Sequence, residues 1–370
     1  MNDFCALVAY KEPTAGAYFR RRNLIEVVNN WLRNFPEADI VVTEQIRSGT
    51  VEQAEARWAG YAEKFVDAGT VSHIMVECDY DSFHKTRILN EAIHKFPNYK
   101  FYILADADAF LDMGAFDYIR DHRDDKNLVF PYAEVFYLDE SDTRSVISGQ
   151  PMRPGVKNHG VVISRQTGLC NVFSGELYRA IRGFDEEFIN WGAEDDAFCF
   201  KVKRLGRQVI RNNTGRGAVM HLFHPKVNTP EYVKSLDYRE NRKLCACIRK
   251  MTDEDWERYL RGDECLGGLA QGYSDRGALV THIEWPCVPG MFLTIDTTIY
   301  DVLADGETVD SLTFTKLMDV VLQEDGPEVA VQFLDNILMP LDPKTPEQLA
   351  ELTGIRERLV KLAKEARGEA

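Results

Sequence analysis

The chain of 370 residues has no long hydrophobic segment, no excess of basic residues and only one closely spaced pair of cysteines. No apolar run approaches the ~20 residues that a membrane-spanning helix needs, so no membrane span is predicted. The formal net charge of −15 does not favour binding to nucleic acid or to an anionic membrane, and it leaves nucleic acid open as a substrate. The hydrophobic content of 45% and the charged content of 28% are typical of soluble globular proteins.

The eight cysteines are scattered, and only Cys245 and Cys247 lie close together in the sequence. A second pair at the spacing of a zinc ribbon does not follow them. We therefore expect buried free thiols, as in a reducing compartment. The N-terminus has no basic segment followed by an apolar one, which argues against a signal peptide. These features predict a cytoplasmic protein.

Apolar strands and amphipathic helices alternate along the first hundred residues. Strands are predicted at 4–10, 40–43, 73–76 and 101–105. Helices are predicted between them, at about 24–32, 51–66 and 85–96. This alternation predicts a mostly parallel sheet covered by helices, with ligands at the carboxyl ends of its strands.

The pattern becomes less regular after the first hundred residues. Between Leu128 and Ile163 the punctuation by proline and glycine favours strands and loops over helices. Ser174 is expected to cap a helix that ends in a glycine turn at Gly183. After residue 226 the spacing is helical at 231–260, 315–338 and 346–366, glycine-rich at 262–275 and strand-like at 280–294. We therefore predict an α/β domain over residues 1–226 and a mainly helical region over 227–370.

Asp106 and Asp108 directly follow the most hydrophobic predicted strand. Aspartates often end strands simply as turn formers. Here the two carboxylates are separated by the small Ala107 and can face one hard cation. Mg²⁺ and Mn²⁺ accept carboxylate oxygens together with substrate phosphates. The pair therefore predicts a divalent-metal site that neutralises a diphosphate leaving group.

A second acidic cluster, Glu194, Asp195 and Asp196, follows Trp191 and Gly192. Three acids at the start of a helix are ordinarily a solvated surface that the helix dipole favours. An exposed tryptophan, however, offers a flat apolar face to a sugar ring, and glycine permits close approach of the backbone. A carboxylate beside such a platform can deprotonate an acceptor hydroxyl. The two clusters together indicate a nucleotide-sugar glycosyltransferase.

The stretch from Phe173 to Leu205 resembles the C-terminal catalytic signature of β-1,4-galactosyltransferases, related N-acetylgalactosaminyltransferases and family-2 polysaccharide synthases such as chondroitin polymerase. Their pattern is glycine-phenylalanine, a spacer, and then tryptophan-glycine-glycine-glutamate-aspartate-aspartate. The segment 83–90 resembles the block that precedes the DxD strand in those enzymes. Two departures are Ala193 at the second glycine and the sequence Asp-Ala-Asp for the DxD. The resemblance covers about residues 1–226 and implies a GT-A fold.

The resemblance also implies a role for each residue of the second cluster. Asp195 would be the catalytic base, with Glu194 and Asp196 as its acceptor-binding neighbours. Trp191 would stack against the acceptor at the base of a mobile loop.

The implied cofactor is Mn²⁺ or Mg²⁺, with Asp108 as a direct ligand and Asp106 nearer the donor ribose and the waters of the metal. A further ligand is expected from the segment 221–225, where His221 is the preferred candidate and His224 the second. A histidine in an apolar segment is more often a core residue. The HxxH spacing also suits zinc, but no third nitrogen or sulfur ligand lies nearby in the sequence.

Four further residues are candidates for the donor pocket. Tyr10 and Glu44 follow the first and second strands, where such folds hold uracil and ribose. Lys85 and Arg87 either contact the donor phosphate or simply lie on a helix surface. The run from Arg20 to Arg22 is interpreted as a solvated helix start, with contact to a phosphate as the alternative.

The predicted function is metal-dependent, inverting transfer of a sugar from a UDP-sugar to an acceptor hydroxyl. One alternative is a two-metal phosphodiesterase or nuclease, which leaves Trp191 and Gly192 unexplained. The other is a non-catalytic carbohydrate-binding protein, against which the intact base and metal residues argue. The acceptor stays open among a glycan, a lipid-linked sugar, a protein and a modified DNA base of a phage. The region after residue 226 is expected to shape the choice of acceptor.

Overall fold

The computed structural model of the protein describes residues 2–13, 16–79, 81–152, 158–160, 167–190, 192–225, 235–273, 280–288, 291–298, 331, 334 and 346–366. The chain divides into two units, one of residues 1–161 with 166–275 and one of residues 162–165 with 276–370. Among the described residues, no helix is both long and apolar enough to cross a membrane. Seven cysteines are free thiols, of which six are buried as expected and Cys265 is exposed.

The strands of the first unit form two sheets. In chain order they are β1 (Phe4–Lys11), β2 (Ala38–Arg47), β3 (Val71–Cys78), β4 (Phe101–Asp106), β5 (Ala109–Leu111), β6 (Leu128–Phe130), β7 (Glu134–Tyr137), β8 (Asn158–Gly160), β9 (Cys170–Ser174), β10 (Val209–Arg211) and β11 (Ala218–His221). The seven-stranded sheet has the order β10-β6-β9-β4-β1-β2-β3, and the four-stranded sheet has the order β5-β11-β7-β8.

The larger sheet is mostly parallel, as predicted. Strand β1 pairs in parallel with β2 and β4, β2 with β3, and β6 with β10, whereas β9 is antiparallel to β4 and β6. The side chains of β1 and β4 are buried almost throughout, which explains why both strands are continuous apolar runs in the sequence.

Ten helices are described in the first unit, and several match the sequence prediction closely. They are α1 (Ala17–Asn34), α2 (Val51–Ala62), α3 (Lys85–Lys95), α4 (Met113–His122), α5 (Glu140–Ile147), α6 (Gly175–Ala180), α7 (Glu194–Arg204), α8 (Leu236–Lys250), α9 (Asp253–Arg261) and α10 (Leu266–Tyr273). Ser174 caps α6 as predicted, since its side chain accepts a hydrogen bond from the N–H of Leu177. Gly183 follows with a φ of 64°, in the expected glycine turn.

Three helices, α4, α5 and α10, lie where the sequence predicts none. Helix α5 falls in the segment predicted as strands and loops, because Asp139 caps its first turn by accepting a hydrogen bond from the N–H of Asp142. Helix α10 falls in the glycine-rich segment. Its Leu266 and Leu269 pack in an apolar cluster with Ile248 of α8, and this burial outweighs the low helix propensity of glycine.

The second unit contains an antiparallel pair of strands and one long described helix. Strands β12 (Val280–Val288) and β13 (Met291–Thr298) pair with each other, and α11 spans Pro346–Ala366. The predicted strand and the last predicted helix are therefore present. The predicted helix at 315–338 lies almost entirely outside the described residues. The two units divide near residue 275, and the predicted division of function near residue 226 stays a prediction.

Candidate active site

The pairing of β5 with β11 brings Asp108 and His221 together. Strand β5 begins directly after Asp108, and its register places His221 opposite Ala109. The N–H of Leu222 donates to the carbonyl oxygen of Asp108 at 2.8 Å, which continues the pairing past the strand end. Ligand atoms of Asp108, His221 and His224 lie within 4.8 Å of one another, close enough to share one cation.

The geometry of this metal triad (Asp108, His221 and His224) fits a divalent transition metal. Nε2 of His224 lies 3.2 Å from Oδ2 of Asp108, and Nε2 of His221 lies 3.9 Å from Oδ1. Nδ1 of His224 faces the carbonyl oxygen of Pro225 at 3.1 Å, the arrangement that orients a metal-binding imidazole. One carboxylate and two imidazoles suit Mn²⁺ better than Mg²⁺, which prefers oxygen ligands.

Arg20 lies at the metal triad, although the sequence indicates a solvated helix start. Its Nη1 donates to Oδ2 of Asp108 at 2.6 Å. Burial raises the pKa of Asp108, but His221, His224 and Arg20 together lower that pKa well below its usual range. The carboxylate is therefore ionised and ready to bind a cation. A helix start that follows β1 must lie at the carboxyl edge of the sheet, and this is the signal that could have identified Arg20.

Lys85 connects the two acidic clusters. Its Nζ lies 3.1 Å from Asp106 Oδ1, 3.2 Å from each carboxylate oxygen of Asp195 and 3.5 Å from Glu194 Oε1. Burial lowers the pKa of Lys85, but these carboxylates raise it well above its ordinary value. The lysine is therefore an ammonium group.

Asp195 is partly buried, with 17% of its side chain exposed, and it lies against Gly168. A Cβ atom at Gly168 would lie 2.8 Å from Oδ2 of Asp195, so only glycine leaves room for this carboxylate. Burial raises the pKa of Asp195 well above its usual range; Glu194 and Asp106 add to the rise, and Lys85 opposes it. A carboxylate with a raised pKa is a stronger base, which suits proton abstraction near neutral pH.

The segment before Asp195 has an unusual backbone. Asn190, Gly192 and Ala193 have φ values of 61°, 115° and 69°. Gly192 also donates its N–H to Oε2 of Glu194 at 3.0 Å. The left-handed conformation of Ala193 is one that glycine adopts without steric strain. Trp191, the predicted acceptor-stacking residue, lies outside the described residues.

Helix α8 holds this segment on its amino-terminal side. The side chain of Asn241 donates to the carbonyl oxygen of Ile189 at 2.8 Å and accepts from the N–H of Ile189 at 3.1 Å. Asn190 donates from its side chain to Asp237 at 2.5 Å. The ring of Tyr238 lies behind Gly192, where a Cβ atom would approach it to 2.7 Å.

The same helix also binds Asp196. Arg242 donates to Oδ2 of Asp196 at 2.9 Å, and Thr167 donates to Oδ1 at 2.6 Å. In this structure Asp196 therefore anchors α7 to α8, and its predicted role in acceptor binding stays a prediction.

The predicted donor residues Tyr10 and Glu44 are buried and paired. Tyr10 donates its hydroxyl to Glu12, and Glu44 forms ion pairs with Arg57 and with Nε2 of His73 at 3.0 Å. Glu12, which the sequence analysis did not select, also accepts from Tyr61 at 3.0 Å and from Arg21. Its place after β1 makes it a further candidate at this edge. Arg87 lies on α3, half-buried, and the roles of these residues in donor binding stay predictions.

Residues 162–225 match a family model described as the N-terminal domain of galactosyltransferase. The matched span contains the second acidic cluster and both histidines of the metal triad. A search of curated protein sequences finds no match.

Several solved glycosyltransferase structures resemble the chain in fold. GalNAc-T7 with UDP, GalNAc and Mn²⁺ has a TM-score of 0.47 and 11% identity, covering 70% of this chain and 49% of that chain. The mannosyltransferase PcManGT from Pyrobaculum calidifontis, in complex with GDP-Man and Mn²⁺, has a TM-score of 0.41 and 13% identity, covering 100% and 87%. The Drosophila β1,4-galactosyltransferase 7 complex with manganese, UDP-Gal and xylobiose has a TM-score of 0.37 and 11% identity, covering 63% and 79%.

The chain thus spans about half the length of the GalNAc-T7 structure. The predicted α/β fold class, with a mostly parallel sheet flanked by helices, is confirmed, and so is the predicted resemblance to galactosyltransferases, over residues 162–225. With TM-scores below 0.5, the roles of individual residues depend on the geometry of this chain alone.

Proposed function

We propose that the protein is a metal-dependent, inverting glycosyltransferase that moves a sugar from a UDP-sugar to an acceptor hydroxyl. The observation that carries the proposal is the meeting of Asp108, His221 and His224 at one sheet edge. Lys85 joins Asp106, at the end of the strand that leads to this triad, to the partly buried carboxylate of Asp195. UDP is preferred as the donor nucleotide because the resemblance is to galactosyltransferases.

Asp195 is the proposed base. Its carboxylate takes the proton of the acceptor hydroxyl as that oxygen forms a bond to the anomeric carbon of the sugar. The bond from that carbon to the diphosphate breaks at the same time, and its electron pair leaves with UDP. A single displacement of this kind inverts the anomeric configuration and needs no nucleophile from the protein.

The residues on the other side of the site are suited to the leaving group. Asp108, His221 and His224 would hold the cation, which when bound supplies positive charge to the departing diphosphate. Arg20 places a guanidinium group beside the same triad, and guanidinium matches phosphate oxygens geometrically.

The geometry disfavours the two alternatives. A two-metal phosphodiesterase would need a cation at each acidic cluster, but Lys85 occupies the space between Asp106, Asp195 and Glu194. A carbohydrate-binding protein without activity would not need a partly buried carboxylate of raised pKa beside a candidate metal site.

The proposal is tested by calorimetric titration of UDP with Mn²⁺, with Mg²⁺ and with chelator, followed by UDP release from a panel of UDP- and GDP-sugars. We expect UDP affinity to depend on the metal and to fall at least tenfold in Asp108→Ala. Asp195→Asn should bind UDP normally while transfer falls by about 10²–10⁴. Equal UDP affinity with and without metal in the wild type would refute the proposal. Near-normal transfer by Asp195→Asn would place the base elsewhere, with Glu194 as the next candidate.

A further inference from the structure

The ammonium group of Lys85 is fully used by carboxylates. Asp106, Asp195 and Glu194 lie 3.1, 3.2 and 3.5 Å from Nζ, and only 11% of the side chain is exposed. An ammonium group has three N–H donors, so each carboxylate can take one of them. A donor phosphate would have to displace one of these partners to bind the lysine.

The backbone before Lys85 is attached to the segment that carries Asp195. The N–H of Phe83 donates to Oδ1 of Asn190 at 2.9 Å, and the carbonyl oxygen of Phe83 accepts from the N–H of Asn190 at 2.7 Å. The N–H of His84 donates to the side chain of Gln45, the last residue but two of β2, at 2.7 Å. The backbone just before Lys85 is therefore held by Asn190 and by Gln45. The position of the lysine does not depend on its side-chain rotamer alone.

The three carboxylates around Lys85 require a positive charge between them. Asp106 belongs to the strand that leads to the metal triad, whereas Glu194 and Asp195 begin α7. Three carboxylates this close repel one another, and removing the cation of a buried pair leaves uncompensated charge. The lysine therefore holds the end of β4, which carries Asp106, close to the proposed base.

We propose that Lys85 is a positioning residue and not a ligand of the donor phosphate. As a shared counter-ion it fixes Asp195 relative to Asp106 at the end of β4. This inference rests on the proposed function. It concerns the same site, but it gives the lysine a role in positioning the base instead of a role in binding substrate.

The test compares the wild type with Lys85→Met, which keeps the length of the side chain, and with Lys85→Arg, which keeps the charge. UDP affinity with Mn²⁺ is measured by calorimetry, and kcat and KM are measured with the UDP-sugar that the wild type turns over. We expect Lys85→Met to keep UDP affinity and donor KM within about threefold while kcat falls about 10²-fold, the usual effect of a small misplacement. Lys85→Arg should recover at least tenfold of that loss.

Two results would overturn the inference. A tenfold or greater loss of UDP affinity in Lys85→Met would make the lysine a donor ligand. An unchanged kcat would leave it with no role in positioning the base.

A stability measurement separates this inference from the proposed function. Lys85→Met with Glu194→Gln removes one charge of each sign, so it should melt at a higher temperature than Lys85→Met alone. The matched control combines Lys85→Met with Glu176→Gln, an exposed acid on α6, and should show no such recovery. Equal melting of the two double variants would refute the counter-ion role. If the wild type failed to bind UDP, the proposed function would fall, and this arm would still decide the role of the lysine.

Discussion

Ala193 occupies a left-handed conformation, with a φ of 69°, in the turn that leads into the proposed base. For a residue with a Cβ atom this conformation costs roughly 1–2 kcal/mol. The methyl group also packs in the apolar cluster between α7 and α8, and burying one such group stabilises the fold by about 0.8 kcal/mol. The two effects oppose each other at this one position.

We therefore expect Ala193→Gly to be close to neutral, within about 0.5 kcal/mol of the wild type in free energy of unfolding, because relief of strain offsets both the lost methyl contact and the greater entropy of glycine in the unfolded chain. Ala197→Gly is the matched control, since Ala197 packs in the same cluster but lies inside α7. It loses the methyl contact and also helix propensity, so it should be destabilised by about 2 kcal/mol. Urea unfolding of both variants measures the difference. Equal destabilisation would mean that the turn at Ala193 carries no strain.

Helix α8 shows how an element beyond residue 226 takes part in the site. The region after residue 226 is predicted to shape acceptor choice. In addition, Asn241 of α8 binds Ile189 before Trp191, and Arg242 binds Asp196 after it. The helix therefore also supports the proposed base.

We expect Asn241→Ala to lower the transfer rate by at least tenfold while metal-dependent UDP affinity stays within about threefold. The variant leaves the main-chain N–H and carbonyl groups of Ile189 without their side-chain partners, and each such loss costs about 1–3 kcal/mol. Lys243→Ala is the control on the same helix, because its ion pair with Glu240 is exposed and should change stability by less than about 0.5 kcal/mol. Normal transfer by Asn241→Ala would show that α8 does not position the base.

Local patterns predicted much of the architecture, whereas contacts between distant segments could not be read from them. The alternation of apolar strands and amphipathic helices depends on neighbouring residues, so α1, α2, α3 and the parallel sheet follow from spacing. Asp108 with either His221 or His224 was predicted as a metal site from a family pattern, and the register of β5 and β11 explains why these residues lie close together. Arg20 and Lys85 were interpreted as helix-surface or phosphate-binding residues, because their partners depend on which strand and helix ends meet at the sheet edge. The hydrogen bonds from Asn241 of α8 to Ile189 could not be predicted either, because the residue spacing of neither segment indicates this contact.

At the scale of the whole molecule, the partly buried charge of Asp195 affects the stability of the folded chain. Its pKa is raised in the folded state, whereas in the unfolded chain it should be near 3.9. At pH values between the two pKa values, Asp195 is protonated to a greater extent in the folded state than in the unfolded state. The contribution of Asp195 to stability is therefore greatest at low pH and is lost as the pH rises through the raised pKa.

We expect Asp195→Asn to gain stability relative to the wild type as the pH rises from 5 to 8, since the amide has no charge to bury. Melting temperatures of both proteins across this range measure the gap. Asp124→Asn is the control: despite partial burial, hydrogen bonds from Lys126 and Asn127 lower the pKa of Asp124, so its gap to the wild type should be constant above pH 5. A gap for Asp195→Asn that narrows as the pH rises would contradict a raised pKa.

The pairing of β5 with β11 has a consequence for the order of events during synthesis. Asp108 and His221 are more than a hundred residues apart in the chain, and they meet only when these two short strands have found each other. A nascent chain that ends before His221 therefore has only one residue of the triad. Because contacts over such separations form slowly, a cation held by this triad would bind only after the sheet has assembled. Such a cation would not act as a nucleus for folding of the early strands.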